Sequence, residues 1–198
     1  HHYFEEVSYN LLTVNTVHFP DTEMSSQSLS YLDEFPRDYY QPYNQVSNLI
    51  GYTTDSEAGE REQSLLKRAI EFISNEVPAD LDVDANNDGF VDNVTFLVKG
   101  SPGAWADLLW PHRWALYLEE VYLNGARVWD YNLNLEQGGY FTVGTLCHEF
   151  FHSLGAPDLY HYWDDTAPIA VGGWDLMDAS SEIPQSMSAY MKYKYTDW

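Results

Sequence analysis

Basic residues are scarce in this chain: 9 Lys and Arg stand against 31 Asp and Glu, for a net charge of −22 over 198 residues. Nucleic acid is excluded as a partner, because its phosphates need Lys and Arg to neutralise them. An anionic membrane surface is excluded on the same ground. Cysteine is almost absent. Cys147 is the single one, so no intrachain disulfide can form. On a helix it points about 100° away from its neighbour His148, and an inert, buried thiol is the expectation. No apolar run approaches the roughly 18–20 residues needed to span a bilayer. No signal peptide, internal repeat, low-complexity tract or interdomain linker is present. What the chain does have is 44% hydrophobic and 16% aromatic residues, the content of a folded protein with one good-sized core that a cleft can divide.

Local patterning predicts a mixture of helices and strands. "LLTVNTVHF" (11–19) has the β-branched content of a strand closed by Pro20-Asp21, and loop-like, aromatic-rich sequence follows to about residue 54. "REQSLLKRAIEFISNEV" (61–77) puts Leu65, Leu66, Ala69, Ile70, Ile73 and Val77 on one helical stripe that Pro78 stops. "NVTFLVKG" (93–100) reads as a strand. "VYLNGARVW" (121–129) reads as a hairpin, with Asn124-Gly125 as its two-residue turn. Helices are predicted over 140–154 and over 184–195, the latter with Pro184 in its first turn. This alternation gives an α/β or α+β domain.

The chemistry is concentrated in "TLCHEFFHSLGAPDLYHYW" (145–163). His148 and His152 are four residues apart, about 400° of helix, so both imidazoles lie on one face within reach of a single zinc ion. Glu149 projects beside the pair, where it can stay off the metal and take a proton from a zinc-bound water. Gly155, three residues after His152, can adopt a left-handed conformation, end the helix and turn the chain back. Asp158 then arrives ten residues after His148. The string H-E-x-x-H-x-x-G-x-x-D thus offers Asp158 as a third ligand, or as a hydrogen-bonding residue at the helix exit. Three protein ligands leave the fourth position of zinc open, as in catalytic sites.

Beyond that string, "YFEEVSYNLL" (3–12), "DANNDGFVDNVTFLVKG" (84–100), "LLWPHRWAL" (108–116), "VGGWDLMDAS" (171–180) and "SAYMKYKYTDW" (188–198) carry a family likeness. Taken with 146–160, these stretches resemble the M6 family of metalloendopeptidases, the immune-inhibitor-A-like group of bacterial metzincin-type zinc proteases. The resemblance spans nearly the whole chain, in the family's order. It implies a zincin fold with a twisted mixed sheet and the active-site helix in an upper subdomain, about residues 1–154. A smaller lower subdomain, about 155–198, follows, and an extended peptide or protein substrate lies in the cleft between them. It further implies zinc held by His148, His152 and Asp158, Glu149 as general base, Met177 in a tight turn as the hydrophobic floor under the metal, and bacterial secretion or cell-surface display of a monomer. Asn10 stands where the family has glycine, which suits a left-handed backbone. The chain begins in a helix and stops at Trp198, so the first strand and any propeptide are expected to be missing. Ala179 occupies the place of the tyrosine that some metzincins carry after the methionine, which leaves Tyr190 and Tyr160 as candidates for stabilising the transition state.

"DVDANNDGFVD" (82–92) repeats oxygen ligands at Asp84, Asn86, Asp88 and Asp92, with the Phe90 carbonyl between, like the first half of a calcium loop. Thr95 replaces the glutamate that would complete it; the expectation is a structural calcium ion that pins the loop, and the alternative is an Asx-rich turn joining helix to strand. Asp164 and Asp165 are a weaker cation candidate. His112, between aromatics, is expected in the core or the cleft wall. The hairpin strand at 126–133 is a candidate edge for a substrate strand. The functional expectation is a secreted zinc endopeptidase. The alternatives are a non-catalytic metal-binding adhesin, which would not need Glu149, and a zinc hydrolase of a non-protein substrate. A thermolysin-like arrangement would take Glu182 as third ligand instead of Asp158.

Overall fold

The computed structural model describes residues 2–20, 30–100, 110–137, 141–164 and 166–198. Four helices are present among them: α1 (His2–Val7), α2 (Asp55–Ile73), α3 (Val143–Ser153) and α4 (Ala189–Thr196). The strands are β1 (Val94–Val98), β2 (His112–Ala115), β3 (Tyr122–Leu123), β4 (Ala126–Arg127) and β5 (Asp130–Leu135). The fold is mixed α/β with a small mixed sheet. β5 lies at its centre, parallel to β1 and antiparallel to β2, with Phe96 opposite Leu133 and Trp114 opposite Tyr131. No helix among the described residues is long and apolar enough to cross a membrane.

α2 begins at Thr54, whose hydroxyl accepts the Glu57 amide, so the helix starts earlier than its apolar stripe. Leu66 and Ile70 of that stripe enter the core under the sheet with Tyr131, Leu133, Val128 and Leu116. The hairpin forms as the sequence predicts: β3 and β4 flank Asn124 and Gly125, both at positive φ (47° and 90°). Asn124 also donates to the Pro78 and Leu81 carbonyls, which pins the turn to the chain after α2.

A second core lies below α3. It gathers Cys147 and Phe151 of α3, Ala156, Leu176, Met177, Met187 and Met191, and Phe4 and Val7 of α1. α1 therefore packs with the chain after α3, not with the sheet. Tyr9 and Asn10 follow α1 at φ 57° and 65°, so Asn10 does take the left-handed backbone.

Three expectations give way. Residues 11–19 are not a strand: they pair with no other described segment in a sheet, and Leu12, Val14 and Phe19 lean on the two cores. α4 starts at Ser188 and not at Pro184, because the buried Asp175 carboxylate takes the Ser188 amide and the Ser188 hydroxyl caps Met191. The 126–133 segment is not one edge strand either. β4 ends at Arg127, and Asp130–Leu135 form the central strand, so the sheet edges among the described residues are β1 and β2.

Candidate metal centre

α3 opens on Thr142, whose hydroxyl accepts the Thr145 amide at 3.0 Å. It closes where Gly155, at φ 98°, lets the Gly155 and Ala156 amides bond back to the His152 and Phe151 carbonyls. Cys147 and Phe151 face the lower core, and burial pushes the Cys147 thiol up to about 11, so it is inert as expected. The adjoining face carries His148 and His152, their rings 4.8 Å apart and nearly perpendicular.

Each imidazole is oriented through Nδ1. His148 Nδ1 lies 2.9 Å from the Leu176 carbonyl and His152 Nδ1 lies 2.7 Å from the Ala156 carbonyl. A carbonyl only accepts, so both Nδ1 atoms carry a proton and the neutral rings keep a lone pair at Nε2. Both lone pairs face the same oxygen: Asp158 Oδ1 is 2.9 Å from His148 Nε2 and 3.3 Å from His152 Nε2. These contacts have ion-pair distance but not hydrogen-bond alignment, and Oδ1 is buried with no hydrogen bond. Three ligand atoms of His148, His152 and Asp158 thus lie within 4.8 Å of one another, the only such group of three or more among the described residues. Electron pairs converging this closely repel unless a cation, either a proton on one imidazole or a metal ion, sits among them. The donor set therefore fits a metal, and two imidazoles with one carboxylate suit zinc. Glu182 is not part of the cluster.

Without a metal ion, the local field favours a proton among these groups. Burial alone would raise the Asp158 carboxyl, but the two imidazoles and the Tyr162 hydroxyl hold it well below the usual carboxylate range. Burial opposes charging of His148, while Asp158, the Leu176 carbonyl and Glu149 together raise it. Glu149 is buried beside the pair, and burial pushes its carboxyl up against the lowering pull of His148, His152 and His112.

Met177 is fully buried in the floor below α3. Its turn carries two site residues at once: the Leu176 carbonyl holds His148, and the Met177 carbonyl accepts the Leu159 amide next to Asp158. Asp175 organises the turn, with Oδ1 accepting the Met177 amide at 2.9 Å and Oδ2 the Ser188 amide at 2.7 Å. The Tyr160 ring stacks on His148 at 6.3 Å between centroids, whereas Tyr190 is exposed on α4.

On the sheet side, His112 is a half-buried wall residue. Its Nδ1 meets the Trp110 carbonyl at 2.8 Å and its Nε2 meets Glu62 Oε1 at 3.1 Å, the same oxygen that Tyr131 donates to. Asn93 bonds Asp130, Asn132 and Ser153, which ties the end of α3 to the central strand.

The 84–92 loop folds as an Asx-rich turn. Asp84 accepts the Asp88 and Gly89 amides, Asn86 the Asp88 amide, Asp88 the Phe90 amide and Asp92 the Ala85 amide. Its carboxylates are engaged by the loop itself. Asp164 caps Thr166, while Asp165 lies outside the described residues. Sequence reasoning missed Asp175, Tyr162 and the Glu62–His112 pair. Tyr162, four residues after Asp158 in "APDLYHYW", is the one that spacing from the ligand could have flagged.

Comparison with protein-family models and with curated proteins returns no match for this chain.

Proposed function

We propose that the chain is a secreted or cell-surface zinc endopeptidase with a metzincin-like catalytic unit, akin to the M6 peptidases that its motifs resemble. The observation that carries this reading is the convergence of His148 Nε2, His152 Nε2 and Asp158 Oδ1, unjoined by hydrogen bonds, beside a buried Glu149. When bound there, zinc supplies a Lewis acid for the scissile carbonyl and lowers the pKa of a coordinated water. Glu149 takes a proton from the attacking water at its carboxylate. The same carboxyl returns that proton to the amide nitrogen as the C–N bond breaks and the new C–O bond stays. The Nδ1 bonds to Leu176 and Ala156 keep both Nε2 atoms aimed at one point. Among the described residues β2 is an edge of the sheet next to α3, and its outer side is where an extended peptide would add as a further strand.

The test pairs zinc content by elemental analysis with casein cleavage, on the chain and on Glu149→Ala. About one zinc per chain is expected in both, as for a three-ligand catalytic site, with cleavage lost in the variant alone. Zinc in both with cleavage in neither would overturn the peptidase reading and leave a metal-binding module. No zinc in either would overturn the site.

A further inference from the structure

Asp158 has two carboxylate oxygens, and the structure treats them differently. Oδ1 faces both imidazoles and has no hydrogen bond, whereas Oδ2 accepts the Tyr162 hydroxyl. We propose that Tyr162 is a positioning residue that fixes Asp158 as a single-oxygen metal ligand; the inference rests on the zinc reading above.

An unrestrained carboxylate beside zinc can swing to present both oxygens and fill the position that catalysis needs open. A phenol on Oδ2 opposes that rotation. The Leu159 amide, bonded to the Met177 carbonyl, restrains the chain on the other side of the same residue. Tyr162 belongs to no helix or strand, so its ring needs other support. It has that support on two sides. Tyr160 lies at 5.1 Å between centroids and itself stacks on His148 at 6.3 Å and 19°, and Trp163 lies at 6.3 Å on Tyr162. Aromatic packing thus runs from a ligand ring to the phenol that restrains another ligand. A surface tyrosine bonded to an aspartate is ordinary by itself. Here the other oxygen of that aspartate is the buried, unbonded atom of the metal cluster, and partners of this kind commonly set metal affinity.

The experiment titrates the metal-free protein with zinc against a chromogenic chelator and records the visible spectrum after loading with cobalt(II) alone. The chain, Tyr162→Phe, Trp163→Ala and His148→Ala are compared, with circular dichroism as the folding control. Tyr162→Phe keeps the ring and removes only the hydroxyl. It is expected to bind zinc about 10–100-fold more weakly and to show a weaker, shifted cobalt band as the coordination number rises. Trp163→Ala removes one support of the ring but keeps the hydroxyl, and is expected to weaken zinc binding clearly less than Tyr162→Phe, while His148→Ala is expected to lose binding. Zinc affinity within about twofold of the parent and an unchanged cobalt band in Tyr162→Phe would overturn the inference and leave the zinc reading standing. Equal losses in Tyr162→Phe and Trp163→Ala would overturn it too, by assigning the effect to ring packing. An unsubstituted chain that binds no zinc, or a His148→Ala that binds as well, would overturn the site reading itself.

Discussion

Replacing Asp175 tests how the floor of the site is held. This carboxylate is fully buried, and its two oxygens accept the Met177 and Ser188 amides. Asp175→Ala removes both acceptors and strands two amides. A hydrogen bond to a charged group contributes about 1.5–3 kcal/mol, so the pair puts the loss at about 3–6 kcal/mol. Asp175→Asn keeps one acceptor but turns its amide group toward the second N–H, and is expected to lose at least about 1.5 kcal/mol. Urea unfolding followed by tryptophan fluorescence reads this directly. With a slope of about 1–3 kcal/mol/M, the midpoint of Asp175→Ala is expected to fall by more than about 1 M, with the slope itself unchanged. Because Leu176 holds His148, zinc affinity should weaken along with stability. A loss below about 1 kcal/mol in Asp175→Ala, with zinc affinity intact, would refute the reasoning: the turn would then be held by something other than this carboxylate.

Other outcomes follow from the same geometry. Asp33 accepts from Arg68 Nε and Nη2 at 2.8 and 3.0 Å and from the Tyr31 hydroxyl at 2.7 Å; burial works to raise its carboxyl, but these partners, with Tyr40 and the Phe35 amide, hold it well below the usual range. A depressed folded pKa gives stability that is complete above the unfolded value of about 3.9 and is lost as pH falls below it. The difference in unfolding free energy between the chain and Asp33→Asn should therefore shrink as pH is lowered from 7 toward 3; a difference that holds constant would refute the assignment. Gly144, buried in the first turn of α3, is backed directly by the Ser181 backbone, which a Cβ would strike. Gly144→Ala is expected to cost about 1–3 kcal/mol in chemical denaturation and to lower zinc affinity by displacing α3; unchanged values would mean that the 181 segment yields freely.

What the sequence made legible was local. The hairpin turn at Asn124-Gly125, the stripe of Leu66 and Ile70, and the spacing of His148, His152, Gly155 and Asp158 are each set within a dozen residues. What it concealed was set across the fold. β5 reads "DYNLNL", yet Asp130, Asn132 and Asn134 are buried, because one face of the central strand meets α3 and the residues around Asn93 instead of solvent. Residues 11–19 have strand composition but no partner strand among the described residues, and β propensity acts only beside a partner. Asp175 looked like one more acidic residue among 31. Its role depends on Ser188, thirteen residues on, and on burial that no local pattern announces. Tyr162 was hidden by the same difficulty on a smaller scale, since its hydroxyl matters only once Asp158 has turned toward the helix.

The core beneath α3 joins Phe4 and Val7 to Met187 and Met191. Those contacts join segments far apart in the sequence, the slow kind of step in folding. The sheet, α2 and the hairpin can consolidate around their own core while α3 still has no floor under it. A ribosome-bound chain that has just displayed both histidines therefore lacks the Leu176 carbonyl and the Met177 turn that orient His148 and Asp158. The three candidate ligands thus acquire their common geometry only after the segment through Met191 has been made and packed beneath α3.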